Sequence, residues 1–477
     1  MLAEQQLKLP KIIQGGMGVA ISDWKLAKAV SQHGHLGVVS GTGIAHIFVA
    51  RLMDGDIGGH VRRALAAFPF QEAVERIIKK YYQPNPKTPQ PPYKRPPMWT
   101  MKPSKALNEL TVIANFVEVF LAKEDHQNPV GINLLEKVQM PTMASLYGAM
   151  LAGVNFVIMG AGIPFQIPGI LDDLTRHKNV SYRLDIQGDA DEQLEFNPQQ
   201  LFPSVLEKVG QLTRPFFSPI VSSVVLAKSL IKRSTGKING LVIEAPIAGG
   251  HNAPPRGQLQ LDENNEPLYG LKDEVDLQKI KELEVPFWLA GGYDTPEKLK
   301  EALAAGAEGI QVGTAFAFCE ESGMEDSLKK RIIRQVAAEE VEVHTDAFIS
   351  PTGFPFKVAR LEGTMSDPSV LAKRPRLCDI GLLRKPFVNE KGKIGFRCAA
   401  EPEEQYLAKG GTLEDTVGRS CLCNNLVATA GFPQHRRDGY IESPLVTAGN
   451  GLEALGRLFK SHSYSYTAED VLNYLTA

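Results

Sequence analysis

Four glycine-marked turns, each closing a short apolar run, recur in order along the chain. They are Gln14-Gly15-Gly16-Met17 after Lys11-Ile12-Ile13, Ala248-Gly249-Gly250-His251 after Gly240-Leu241-Val242-Ile243, Ala290-Gly291-Gly292 after Pro286-Phe287-Trp288-Leu289, and Gln311-Val312-Gly313-Thr314 after Gly309-Ile310. Glycine at a strand end lets the backbone approach a ligand closely, because no Cβ stands in the way. At the ends of successive parallel strands such turns build one shared floor, the place where a barrel enzyme holds a phosphate-bearing cofactor.

Between these turns, short apolar strands alternate with helical stretches through the first 340 or so residues, the pattern of βα units on a parallel sheet. Strand candidates are Lys11–Gly15, Leu36–Ser40, Pro129–Leu134, Phe156–Gly160, Val180–Ile186, Pro215–Val221, Gly240–Glu244, Pro286–Ala290 and Gly309–Val312. That is one more than a (β/α)8 barrel takes, and Val180–Ile186 is assigned to an inserted hairpin. Helix candidates include Ser22–Gln32, Thr142–Ala152, Ser222–Ser234, Leu277–Leu283 and Thr295–Ala305, the last opening on a Thr-Pro-Glu cap and ending before Gly306. The expected fold is α/β: a (β/α)8 TIM barrel from residues 1–52 and 127–360, a helical, Pro-rich, basic insertion at 53–126, and a C-terminal extension, 361–477, packed on the barrel.

The insertion holds eight prolines among residues 84–103 and no acid between Glu75 and Glu109. It reads as a solvated arm over the barrel, with a docking surface for an acidic partner as the sharper alternative. The polar stretch Gly188–Arg214 reads as a long loop. A net charge of −2 gives no basic field for nucleic acid. No apolar run reaches the roughly 20 residues that cross a bilayer, and the N-terminus shows no signal peptide. Five cysteines are too few for a disulfide framework in a chain this long and fit a reducing, cytoplasmic setting.

Three groups of residues carry chemistry. Gly291-Gly292 and Gly313-Thr314 fall at the seventh and eighth strand ends, the usual phosphate site of this architecture, with the Thr314 hydroxyl as an added donor. His251, in a glycine turn at the catalytic face and followed by the proline-stiffened Asn252–Gly257, is the candidate general base. Cys378, Cys398, Cys421 and Cys423 could supply four thiolates to a structural zinc, although the spacing lacks a C-x2-C knuckle and buried reduced thiols are the plainer reading.

Taken together, Gln14–Met17, Gly131-Ile132-Asn133, Gly160-Ala161-Gly162, Ala248–His251, Ala290–Gly292 and Gln311–Thr314 stand in the order found in FMN-dependent nitronate monooxygenases, formerly called 2-nitropropane dioxygenases. Enoyl-acyl-carrier-protein reductase II shares that skeleton. The resemblance covers roughly residues 9–360 and includes Thr345–Val358, around Ser350-Pro351-Thr352-Gly353. It implies FMN as cofactor. Gly15, Gly16 and Met17 would line the isoalloxazine, Asn133 would hydrogen-bond it, and Gly160 and Gly162 would border it. Gly249 and Gly250 would let the backbone pass close, Gly291, Gly292, Gly313 and Thr314 would hold the FMN phosphate, and Gln311 would also bind the cofactor. His251 matches the family's active-site histidine. Two departures stand out: Arg256-Gly257 follows His251 only after four intervening residues, and the chain is about 100 residues longer than simple members. In length it resembles the long bacterial forms, some relatives of which act as trans-acting enoyl reductases beside polyketide or polyunsaturated fatty acid synthases.

The implied activity is oxidation of alkyl nitronates with O2 to a carbonyl compound and nitrite, with His251 deprotonating a neutral nitroalkane or holding its anionic nitro group. The alternatives are an NAD(P)H-dependent enoyl-thioester reductase, for which the basic arm would suit an acidic acyl carrier protein, and a flavin-binding subunit without turnover. The partner expected is a small-molecule substrate, with no nucleic acid and no membrane.

Overall fold

The computed structural model describes residues 8–86, 92–188, 190–459 and 464–477. Eight parallel strands run Ile12–Gln14, Gly37–Ser40, Val130–Leu135, Phe156–Gly160, Phe216–Val221, Leu241–Glu244, Phe287–Ala290 and Gly309–Val312. Each pairs with its neighbour in sequence order, and the eighth pairs with the first through Ile12↔Ile310. The ring is joined between first and second by Gln14 N–H to Leu36 O, 2.9 Å, and Leu36 N–H to Ile12 O, 3.0 Å. This is the (β/α)8 barrel. The strands are nearly continuous apolar runs because both faces are covered. Alternate residues divide between two cores: Ile13, Val38, Phe156, Ile158, Val242 and Trp288 fill the barrel interior, while Ile12, Val39, Val157 and Phe287 face the helices. The Trp288 indole N–H donates to Pro10 O at 2.7 Å, closing the barrel floor.

Val180–Arg183 pairs antiparallel with Gln193–Phe196 outside the barrel, so the ninth candidate strand is a hairpin. Gly188–Arg214 is less irregular than its polarity implies. Leu194, Phe196, Leu201 and Val205 are buried, and their burial supports that second strand and two one-turn helices, Pro198–Leu201 and Val205–Lys208. Thr295 caps Pro296–Ala304 by accepting from Lys298 N–H, and Gly306 has φ +93, the left-handed geometry expected of a C-terminal glycine.

The sixth strand ends at Glu244, as expected, but the Gly249-Gly250 turn does not close it. Ala245 N–H still bonds Ala290 O at 2.9 Å, but Pro246 has no N–H to continue the ladder. Gly250-His251 is a separate short strand, paired antiparallel with Phe356–Lys357 in a three-stranded sheet. The residue that closes the sixth barrel strand is Glu244.

Lys105–Lys123 is capped by Ser104 and buried along most of its length. Its Glu118, with Asp23, holds the Arg51 guanidinium at 2.8 and 3.1 Å. The arm before it packs against residues beyond 361: Arg384 donates to Trp99 O at 2.7 Å, and Arg95 reaches Asn424 Oδ1 at 2.8 Å and Asp379 at 3.4 Å. Arg436 also binds Asp379, at 2.6 Å, and contacts Glu442, which pairs with Arg374 in a nearly solvent-free site.

His46, on Ile44–Met53, is buried beside this network with Nδ1 lacking a partner. Burial first, then the Arg95 charge, pulls its pKa from 6.5 to about 3, with Asp379 opposing weakly. Between those values the unfolded chain binds a proton that the folded chain refuses. Stability from this group is therefore present above pH 6.5 and lost as pH falls toward 3. His46→Gln should flatten the fall in unfolding free energy across that window by up to about 1.4 kcal/mol per pH unit, measured by denaturant titration at several pH values.

Candidate active site

A cavity opens at the C-terminal ends of the barrel strands. Its wall takes in Gly15, Gly16, Met17, Asn133, Gly160, Gly249, Gly250, His251, Gly291, Gly292, Gln311, Gly313 and Thr314. Every residue singled out from sequence for the cofactor is there except Gly162, which packs on the Glu136 side chain instead. The glycines serve different ends. Gly291 and Gly292 have φ +81 and +76, and a Cβ at either would meet Ala245 O at 2.9 Å or Ile247 Cδ1 at 2.5 Å, so the backbone itself needs them. Gly313 has an ordinary φ of −109, and a Cβ there would find only Met17 Sδ, at 3.7 Å. The space above Gly313 is cavity.

Two observations test whether FMN fits. The Gln311 Oε1 atom is buried in the wall without a hydrogen-bond partner, a cost that a donor on a bound ligand would remove. The Gly313 cradle is open where a side chain would block it. The donor set, a glycine floor with the Thr314 hydroxyl at its edge, suits a phosphate-bearing nucleotide.

His251 is held firmly. Its Nε2 is 2.9 Å from Ser350 Oγ, which in turn meets Thr352 Oγ1 at 2.7 Å, and the ring stands edge-on to Phe356 at 4.7 Å. Burial, then the Lys137 charge, pulls its pKa down to about 4, so the imidazole is neutral near pH 7. Arg256 takes no part in the wall: its Nη2 donates to Ser222 O at 2.6 Å and its backbone N–H to Asp273 Oδ1 at 2.8 Å. The displaced Arg-Gly pair is a strut for the loop after His251.

Other wall residues went unnoticed in sequence. Leu426, Thr447, Ala448, Gly449 and Gly451 come from the C-terminal extension. Gly449 N–H donates to Thr314 Oγ1 at 2.9 Å, leaving the threonine hydroxyl hydrogen free for an anion. Ala448-Gly449-Asn450-Gly451 carries a glycine signal, but no βα unit precedes it. Glu244, Tyr293 and Asp294 also line the cavity.

The cysteine expectation needs correction. Cys378, Cys398, Cys421 and Cys423 share one largely buried neighbourhood. Yet no three His, Cys, Asp or Glu side chains among the described residues form a group that could hold a metal. Cys421 instead accepts from Asn424 Nδ2 at 3.5 Å. Cys319 is core, its thiol donating to Phe316 O at 3.2 Å. Among the described residues no helix is long and apolar enough to cross a membrane.

Residues 204–347 match the family described as nitronate monooxygenase. A probable nitronate monooxygenase of Bacillus subtilis (strain 168) is 36% identical over 93 residues, 20% of this chain and 25% of that protein. A (3aS,4S,5R,7aS)-5-hydroxy-7a-methyl-1-oxo-octahydro-1H-indene-4-carboxyl-CoA dehydrogenase of Rhodococcus jostii (strain RHA1) is 29% identical over 110 residues, 23% of this chain and 27% of that protein. The matches thus span about a quarter of these curated relatives. The structure of FabK from Thermotoga maritima overlays on 98% of this chain and 91% of its own, with 14% identity and a TM-score of 0.46.

Proposed function

We infer that this chain, whose residues 204–347 match the nitronate monooxygenase family, is an FMN-dependent oxidoreductase that oxidises alkyl nitronates with O2 to a carbonyl compound and nitrite. The observation that carries the reading is the floor of Gly15, Gly16, Gly291, Gly292 and Gly313, with an unpaired Gln311 amide oxygen and a neutral histidine over it.

FMN bound there supplies the electron-accepting ring. The chain supplies the rest. Gly313 and Thr314 would hold the phosphate. Gly15 and Gly16 would let the ring lie against backbone, and Asn133 and Gln311 would offer amide hydrogen bonds. Ser350 holds the neutral imidazole at Nε2, and His251 would orient a nitro oxygen. Phe356 and Ile247 help exclude water around that contact.

Purified protein should be yellow and release FMN, not FAD, on denaturation, as resolved by chromatography of the supernatant. Under anaerobic conditions a pre-formed nitronate should bleach the flavin and NADH should not. Recovery of FAD, or indifference to nitronate, would overturn the reading.

One observation favours the enoyl-thioester reductase as second reading. A chamber of about 740 Å³ adjoins the site through Ile247, Ala290 and Tyr293 and is walled by Ile243, Val275, Leu277 and Leu289, more room than a short nitronate needs. Rapid anaerobic bleaching by NADH would select that reading. An acyl carrier protein would then be the natural partner, approaching the cationic arm around Lys102 and Lys105.

A further inference from the structure

We propose that Glu244 is the group that takes the substrate proton in this pocket, removing it from the α-carbon of a neutral nitroalkane while His251 orients the nitro oxygens. The inference rests on the functional reading above and assigns it a residue that no glycine motif marks.

Glu244 closes the sixth strand, in register with Ala290 of the seventh, and its side chain lines the same cavity as His251 and Gly292. Its isolation sets it apart. Buried carboxylates are ordinarily held by a cation or by N–H donors. This chain follows that rule elsewhere: Glu118 and Asp23 hold Arg51, Asp56 caps Val61 and Arg62, Glu401 binds Lys409, and Glu442 binds Arg374. Among the described residues no hydrogen bond or ion pair reaches the Glu244 carboxylate. A half-buried acid with no partner in the fold, at a strand end on the catalytic face, has an empty cavity as its neighbour.

The chemistry balances without any oxidant. The carbon–hydrogen bond of the nitroalkane breaks, an O–H bond forms on Glu244, and the carbon electron pair moves into the nitro group to give the nitronate anion. The proton leaves later to water. The titratable groups facing the same cavity are His251, Tyr293 and Asp294, and none brings a positive charge at neutral pH. Burial alone pushes the Glu244 carboxyl up to about 7, whereas His251 sits near 4. A base matched to the working pH carries a proton more readily than one that releases it three decades lower. His251 is also engaged by Ser350, while Glu244 is free.

The test separates proton removal from oxidation. The FMN-loaded protein is incubated with nitroethane in D2O without oxygen, and loss of the α-proton signal is followed by NMR. Wild type should exchange the proton, faster as pH rises through about 7. Glu244→Gln should slow exchange roughly 100-fold or more. Its anaerobic bleaching by pre-formed nitronate should fall far less, since that substrate has already lost the proton. Glu244→Asp should recover part of the exchange. His251→Asn should show the opposite balance, with the larger loss on nitronate. Unchanged exchange in Glu244→Gln with loss in His251→Asn would return the base role to His251. Absence of exchange in wild type would overturn the proposal outright. Absence of nitronate bleaching in wild type would instead overturn the functional reading and leave the exchange result standing.

Discussion

Replacing Gly313 with valine should give a folded but colourless protein. The residue has φ −109, which valine adopts without strain, and the added Cβ would meet only Met17 Sδ at 3.7 Å. The apoprotein therefore has no reason to lose stability, and its melting temperature should stay near that of wild-type apoprotein. The two methyl groups project into the space assigned to the FMN phosphate. Relieving that overlap would cost about 1–3 kcal/mol or more, a loss in affinity on the order of 10- to 100-fold. Flavin absorbance per chain after purification, and after reconstitution with excess FMN, measures it directly. A contrasting variant sharpens the result: Gly292→Ala places a Cβ 2.5 Å from Ile247 Cδ1 at a positive φ, so it should lower the stability of the apoprotein itself. Full flavin content in Gly313→Val would remove Gly313 from the cofactor site.

Glu442→Leu should be among the most damaging changes in the chain. Arg374 and Glu442 have side-chain exposures of 3% and 1% and meet through two bonds of 2.9 and 3.0 Å. Arg436 contacts the same carboxylate while it holds Asp379, and Arg95 approaches Asp379 from the arm. Three guanidiniums thus share two carboxylates across the junction of arm and extension. Removing Glu442 leaves Arg374 buried without a counter-charge, a loss of about 3–5 kcal/mol in unfolding free energy. The double variant Arg374→Met/Glu442→Leu should recover much of that, because an apolar pair of similar volume carries no desolvation cost. Chemical denaturation of both variants decides the point. A loss below about 1 kcal/mol in the single variant would mean that water reaches Arg374.

The barrel was legible because its strands are short, apolar and spaced by helices with recognisable ends, Thr295 and Gly306 being the clearest. The hairpin was legible by arithmetic, since a closed barrel has no place for a ninth strand. Polar residues hid the rest of that hairpin, because alternation shows only when the buried half, Leu194 and Phe196, is known to be buried. The glycine floor of the cavity was legible wherever glycine followed an apolar run. The end of the sixth strand at Glu244 was legible too, but Gly249-Gly250, read as the turn that closes it, lies beyond Pro246 in a separate short strand. Glu244 was legible as the last residue of the sixth strand but not as a wall residue, because nothing local says that the cavity opens beside it. Leu426 and Thr447–Gly451 escaped because their place in the wall depends on contacts more than 130 residues away in sequence, such as Gly449 with Thr314.

That last contact also sets an order of events during synthesis. All eight barrel strands have left the ribosome once residue 312 is out, and domains begin to fold as they emerge. The wall over Thr314, however, arrives only with Gly449 and Gly451. A nascent barrel would have a floor for the nucleotide and no flank to retain it, so capture of the cofactor waits for nearly the whole chain. A cofactor seated between Thr314 and Gly449 would stabilise the late-arriving segment by mass action, and the extension would become harder to unfold as flavin concentration rises.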